Sequence, residues 1–571
     1  MKLKTCSLLV LLALSGCKSA SDDNDDVGQK EFNPQAATIA GIHQALLNGE
    51  HTCEQIIETY LDRSEALDRS GPELNALITV NKEALERARE LDTSFAEEGL
   101  QGPLHCVPVT VKDNVNTSDM LTTGGALANN QPLTDAYIVR NIRAAGGIVI
   151  SKANLHEYAF GYTGGSLLGG VPRNAYDLSK GPGGSSSGTG TAVSASLALV
   201  GIGTDTGGSI RVPSSVQGLV GIRPSMRLLS QEGIMPLAPF QDTAGPMCRN
   251  VSDCASFLSV MAGYDESQYS GQRVLFAIDA PLMSNASQYQ VVTGENDYTQ
   301  YLDADKLNGA RIGVVRSLFG TGSSQENQQV QKAMDLAIEN MEKLGAIVED
   351  VEIPDLDYLL TEYMSLSRFE FSYSLTEYLE TWSSDLDNHY RSFDQVHSSG
   401  EYLPASEGSF NLYATMGQDR WNDEDYLKNV HERPEVFRTA VLRTLNNQDE
   451  HGGSLGQHYD ALIYPSITGI AGPHGGNPTE SGSANRISPF TGFPALTMPV
   501  GYVESDTGSD LPVGLEMLGR EFDEGRLLAL AYAYEQAYSP RIEPVLTEDM
   551  TPPAISNQLM MRTGFDEEMM N

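Results

Sequence analysis

Basic residues are scarce in this chain. Among 571 residues, 37 Lys and Arg stand against 76 Asp and Glu, a formal charge of −39. Phosphate backbones and anionic lipid surfaces would both repel such a protein, so nucleic-acid binding and electrostatic membrane binding are excluded as expectations. Cysteine is also sparse: six residues, with no C-x-x-C pair and no His-rich tract beside them. Zinc-site spacing is therefore missing, and no metal or other cofactor is expected. Long hydrophobic runs are lacking too. The stretch Ser7 to Leu14 is too short to span a bilayer as a mature helix. No internal repeat is apparent. What remains is 40% hydrophobic and 20% charged, the composition of a globular protein.

The first residues read differently from the rest. Lys2 and Lys4 precede the apolar run, which ends in LSGC, residues 14–17. This pattern resembles a bacterial lipobox. The resemblance implies a signal peptide over residues 1–16 and a lipid on Cys17. The Ser/Asp-rich, non-periodic residues that follow suit a disordered acidic tether over 17–34. On this reading the protein is exported and anchored to a bacterial membrane facing the periplasm, with the lipid on Cys17 as its only membrane attachment. Cys53, Cys106, Cys248 and Cys254 then remain. Export permits disulfides, but four thiols allow three pairings and the spacing selects none.

Elements alternate along the remainder. Thr52 to Gln55 has the pattern of a capping box, followed by Ile56, Ile57, Tyr60 and Leu61 on one helical face. Strands are predicted at 104–114, 147–150, 310–315, 459–465, 495–503 and 511–518. Helices are predicted near 135–145, over 325–345 with Gly345 as terminator, and over 524–538. Strands and helices interleaved without a strong linker predict one large α/β domain over 35–545, a central mixed sheet flanked by helices, with a C-terminal tail at 546–571. The aromatic, acidic and less regular stretch 360–455 is expected to be an insertion capping a site.

Three segments carry candidate chemistry. GPGGSSSGTG, residues 181–190, consists of turn-forming residues, a poor helix and a poor strand, yet the apolar TAVSASLALVGIG follows at once. Its GSSSG core formally matches a nucleophile elbow, but that motif requires a buried strand before it, and RNAYDLSKGPG is polar. GTDTGGSIRVPSS, residues 203–215, places a glycine pair before Ser209. Such a turn allows successive N–H groups to converge as an oxyanion hole, although alone it would be a plain strand-to-helix turn. VKDN, residues 111–114, places Lys112 at the end of an apolar strand; alone it would be a surface lysine.

Taken together, VKDN, PGGSS and GTDTGGSIR resemble the amidase signature family, with the peptide amidase branch nearest in pattern. The resemblance extends to NAYDLSKGPGGSS (174–186), GLVGIRPS (218–225), IMPLAPFQDTAGPMCRNVSD (234–253), GFPALTMPVGY (492–502) and LPVGLEMLGREFDEGRLL (511–528). It implies a Ser-cis-Ser-Lys triad of Lys112, Ser185 and Ser209, with a cis peptide between Gly184 and Ser185. Ser209 would be the nucleophile, and Ser185 would relay its proton to Lys112 and on to the leaving amine. The backbone N–H groups of Thr206, Gly207, Gly208 and Ser209 would form the oxyanion hole. Ser186 would support the triad, while Asp205 and Arg211 read as an ion pair that locks the loop. The chemistry suits the residues: a lysine serves as base when neutral, and burial beside hydroxyls lowers its pKa.

Two departures stand out. Ser187 replaces a glycine common in the family, as it does in the peptide amidase branch, and Met226 replaces another glycine, which questions the backbone there. The expected function is an exported serine amidase that converts carboxamides to acid plus ammonia or amine, acting on small-molecule or C-terminal peptide amides. The alternatives are an amidotransferase subunit that works on charged tRNA, and an inactive binding lipoprotein of the same fold.

Overall fold

The computed structural model describes residues 31–270, 283, 285–383, 390–416 and 419–553. The lipobox, Cys17, nearly all of the tether and the end of the tail lie outside the described residues. Eleven strands form one mixed sheet: β1 Leu77–Val80, β2 Pro108–Lys112, β3 Ile148–Ala153, β4 Val200–Asp205, β5 Val220–Arg223, β6 Thr243–Cys248, β7 Arg311–Val314, β8 Ile347–Asp350, β9 Ala461–Pro465, β10 Ala495–Glu504 and β11 Asp510–Leu518. Their order is β1-β3-β2-β4-β6-β5-β10-β11-β9-β7-β8. The blocks β3-β2-β4 and β9-β7-β8 are parallel, and the strands between them pair antiparallel. Apolar runs such as those in β2 and β3 are buried along their whole length, as strands covered on both faces must be.

The predicted elements sit where periodicity placed them, with shifted ends. The strand expected from residue 104 starts at Pro108, because a turn occupies 104–107. The helix Cys53–Leu67 begins with the reciprocal Thr52–Gln55 cap, and the helix Gln325–Lys343 stops short of Gly345, whose φ is +91°. Five strands fall outside the predicted ones, β1, β5 and β8 together with β4 and β6, and the last two show why. Their sequences, VGIGTD and TAGPMC, have little β-propensity, and they are strands because the sheet surrounds them. Gly203 admits the neighbours: a Cβ there would lie 2.8 Å from Met247 Sδ and 2.9 Å from Ser186 Oγ.

The Gly/Ser segment departs from expectation. Its second half is a helix, Ser187–Ser194, buried from end to end. Tertiary packing overrides the poor propensity: a Cβ on Gly188 would lie 2.2 Å from the Ala76 carbonyl oxygen and 2.5 Å from Asn154 N. Small residues let this helix lie against the chain that precedes β1 and follows β3. The stretch 360–455 is also more regular than expected, being mostly helical, with Ser367–Trp382, Glu407–Met416 and Arg433–Leu445 as its longest helices. Its aromatics interlock, with Phe410 and Tyr402 rings 4.1 Å apart, and Phe371 packs against Phe160 outside the stretch at 4.8 Å.

The four cysteines are paired as Cys53–Cys106 and Cys248–Cys254. Met226 is buried and takes no left-handed conformation; the positive φ falls on Arg227 instead, at +73°. Among the described residues no helix is long and apolar enough to cross a membrane, and no group of three acidic, His or Cys residues could hold a metal ion.

Candidate active site

Lys112 ends β2 and Asp205 ends β4, and the two strands are parallel neighbours. Both chains therefore leave the sheet at the same carboxyl edge, the usual site position in parallel sheets. The loop before the helix Ser187–Ser194 returns to this edge and brings Ser185 and Ser186 with it. The Gly184–Ser185 peptide bond is cis.

Lys112 is fully buried. Its Nζ donates to Ser185 Oγ at 2.7 Å, to Thr204 Oγ1 at 2.8 Å and to the Thr204 carbonyl at 3.3 Å. No carboxylate forms an ion pair with it among the described residues. The adjacent Asp113 is taken by a second buried lysine, Lys152, at 3.1 Å. Burial lowers the Lys112 amine to about 7, against the weaker pull of the Asp205 and Asp242 charges. Nearby His156, also pushed down by burial to about 4, stays neutral at physiological pH. Its backbone N–H donates to the Ser185 carbonyl at 3.0 Å.

Ser209 lies in the turn after β4, and its carbonyl accepts the Ser186 N–H at 3.2 Å. The two serine loops are thus joined through backbone. Among the hydrogen bonds of the described residues, none joins Ser185 Oγ to Ser209 Oγ. Ser186 Oγ accepts the Thr204 N–H and donates to the Thr204 carbonyl, both at 3.2 Å. Ser187 donates to the Gly164 carbonyl at 2.9 Å, so the hydroxyl that replaces glycine is satisfied.

The four N–H groups assigned to the oxyanion hole do not stay together as a set. That of Gly208 donates to Asp205 Oδ1 at 2.8 Å and is committed there. Those of Thr206, Gly207 and Ser209 have no acceptor among the described residues. Asp205 also accepts from Ile210 N at 3.1 Å and from Arg211 Nε at 3.1 Å, and Arg211 continues to Glu516 at 2.6 Å. Burial pushes the Asp205 carboxyl up, but Arg211 and Arg223 outweigh it and hold it at about 2. This buried network fixes the turn and extends to the cavity wall, where Arg211 donates to the Asn485 carbonyl at 2.8 Å and Arg223 to the Gln241 carbonyl at 2.9 Å.

The cavity in front of Ser209 measures about 420 Å³. Thr206, Gly207 and Ser209 form its floor, Phe160 and Tyr162 one wall, Asn485 and Phe490 another, and residues 361–368 of the helical region the lid side. Thr204, Asn114, His156, Tyr162, Gln241 and Asp242 were not assigned roles from sequence. Asn114 donates to Thr204 Oγ1 at 3.1 Å and Thr206 Oγ1 to Asp242 Oδ1 at 2.5 Å. Thr204, Asn114, Gln241 and Asp242 lie within the quoted motifs, whereas His156 and Tyr162 lie outside them, and nothing local distinguishes a supporting residue from a filler.

Residues 55–528 match the family described as Amidase. Among curated relatives, a chloroplastic/mitochondrial glutamyl-tRNA(Gln) amidotransferase subunit of Oryza sativa subsp. indica is 33% identical over 533 residues, 90% of this chain and 91% of the relative. The corresponding subunit of Caldanaerobacter subterraneus is 30% identical, covering 89% of this chain and 97% of its own. Among solved structures, the native peptide amidase of Stenotrophomonas maltophilia superposes with a TM-score of 0.73 at 32% identity, covering 90% of this chain and 99% of its own. The match spans the sheet, the serine loops and the lysine strand together, and the chain belongs to the amidase family, enzymes that cleave the carbon–nitrogen bond of amides.

Proposed function

We propose that this protein is an exported serine amidase that hydrolyses carboxamides, C-terminal peptide amides among them, through an acyl-enzyme on Ser209. One observation carries the reading. A fully buried lysine, free of any carboxylate ion pair among the described residues, donates to the hydroxyl of a serine whose loop is bonded to the nucleophile's turn. Neutral Lys112 takes the Ser185 proton as Ser185 takes that of Ser209, while Ser209 Oγ bonds to the carbonyl carbon. The carbonyl oxygen gains the electron pair and faces the N–H groups of Thr206, Gly207 and Ser209. Collapse breaks the carbon–nitrogen bond, and the proton returns through Ser185 to the departing amine. Water then releases the acid by the same relay. Phe160, Tyr162 and Phe490 give the cavity apolar walls beside the polar Gln241, Ser365, Arg368 and Asn485, a mixed cleft of a size suited to a peptide end.

The likeness to a peptide amidase supports the hydrolase reading, and the two disulfides support export, because they persist in oxidising compartments. The likeness to amidotransferase subunits supports a second reading, ammonia delivery to charged tRNA. The charge of −39 weighs against it. The test is ammonia release from peptide amides, fatty amides, aryl amides and glutamine, with Ser209→Ala as control. Release from a peptide amide by the protein alone, lost in Ser209→Ala, is expected. Release from glutamine only, and only with tRNA and partner subunits, would favour the second reading.

A further inference from the structure

Gln241 stands between the lid side of the cavity and its floor. It is 1% exposed and lies just before β6. Its Nε2 donates to the Thr206 carbonyl at 2.6 Å and to Ser365 Oγ at 3.3 Å. Its Oε1 accepts the Leu366 N–H at 3.3 Å and the Arg433 guanidinium at 3.1 Å. The orientation of the side-chain amide is therefore determined by its partners: two donors meet the oxygen and a carbonyl meets the nitrogen. Arg433 is itself fully buried, held by the Met364 carbonyl at 2.7 Å and by the face of Phe490 at 4.4 Å. Among the described residues no carboxylate forms an ion pair with it. The guanidinium polarises the amide it touches and strengthens the bond on the amide's far side.

The Thr206 carbonyl shares a planar trans peptide unit with the Gly207 N–H, and in such a unit the two groups point in opposite directions. Holding the carbonyl from one side aims the N–H from the other. Gly207 has no side chain to brace its backbone, and a Cβ there would meet nothing within 4 Å. The next peptide unit is fixed separately: Tyr162 Oη donates to the Gly207 carbonyl while Gly208 N–H donates to Asp205. We infer that Gln241, anchored by Arg433, is a positioning residue for amide cleavage: it sets the Thr206–Gly207 peptide plane so that the Gly207 N–H faces the developing oxyanion, and it ties that plane to the lid segment at Ser365–Leu366. The inference rests on Ser209 as the nucleophile proposed above.

The distinguishing property is preference for the transition state. An oxyanion donor acts on the tetrahedral adduct, whereas a structural defect in the cavity wall weakens every ligand. Two variants probe it. Gln241→Glu keeps the shape and the Arg433 contact but sets a carboxylate oxygen against the Thr206 carbonyl. Gln241→Met removes all four side-chain bonds with little change of volume. The probes are an N-acetyl dipeptide carboxamide as substrate, the matching peptide aldehyde, to which Ser209 Oγ adds across the carbonyl, and the matching peptide acid as a ground-state ligand. In both variants kcat is expected to fall about ten- to a hundredfold with KM within about twofold of wild type. Aldehyde affinity should fall by a similar factor while affinity for the acid stays unchanged. Equal loss for aldehyde and acid, or unchanged kcat in both variants, would overturn the inference. Failure of the underlying reading has a different signature, an aldehyde adduct that persists in Ser209→Ala, and the kcat-against-KM result for Gln241 would still be read on its own.

Discussion

At the scale of single residues, the fold maintains Lys112 in a state that water would not. In the unfolded chain the amine is charged below its ordinary 10.5, whereas in the folded protein burial lowers it to about 7. Only the neutral amine accepts a proton, so activity should rise about tenfold per pH unit below pH 7 and level off above it, as a pH–rate profile would show. Lys112→Arg should be inactive across that range, because a guanidinium does not deprotonate in proteins. The same shift has a consequence for stability. Between about pH 7 and 10.5 the unfolded chain holds a proton that the folded chain has released, so stability increases with pH across that window. At pH 7 the folded state bears nearly the whole cost, about 1.4 kcal/mol for each pH unit of lowering. Lys112→Met removes it and leaves the Thr204 and Ser185 hydroxyls each short of one donor. The expected result is an inactive variant about 2 kcal/mol more stable than wild type in urea unfolding at pH 7. A variant less stable than wild type would show that the hydroxyl contacts outweigh the buried amine.

At the scale of elements, the buried helix Ser187–Ser194 departs furthest from its sequence propensity. Alanine at position 188 would improve intrinsic helicity by about 1 kcal/mol. Its Cβ would nevertheless collide with backbone atoms of Ala76 and Asn154, which have no rotamer by which to move away. Gly188→Ala is therefore expected to destabilise by several kcal/mol and to displace Ser185 and Ser186 with the helix. Calorimetry and loss of turnover would register both effects. The disulfides differ in reach. Cys53–Cys106 closes a loop of 53 residues and ties the first long helix to the approach to β2, whereas Cys248–Cys254 spans 6. Loop-closure entropy gives about 4 kcal/mol for the first and about 2 for the second. Replacing the first pair with alanine should accordingly lower the unfolding midpoint more than replacing the second.

At the scale of the whole molecule, the expected lipid on Cys17 and the acidic tether would suspend a negatively charged enzyme from a membrane whose surface repels it. Native protein should partition into detergent and show a lipid-bearing Cys17 by mass spectrometry, and Cys17→Ala should be released in soluble form with its amidase activity intact. A native protein that begins at Met1 without lipid would refute the exported reading. The sequence alone determined the α/β alternation, the long strands and helices near both ends, and the three segments that hold Lys112, Ser185 and Ser209. Those features are written in periodicities and short motifs, which are local. It did not determine that VGIGTD and TAGPMC are strands, that half of a Gly/Ser tract is helix, or which of three cysteine pairings forms. Those depend on what lies alongside. Nor did it reveal that the Gly208 N–H is committed to Asp205, that Asp113 pairs with Lys152 and not with the lysine beside it, or that Gln241 reaches Thr206. The Gly208–Asp205 bond lies within one turn, but the turn's shape is set by its surroundings; the other partners are far apart in the chain or face opposite sides of a strand, and only packing of the whole sheet brings donor and acceptor together.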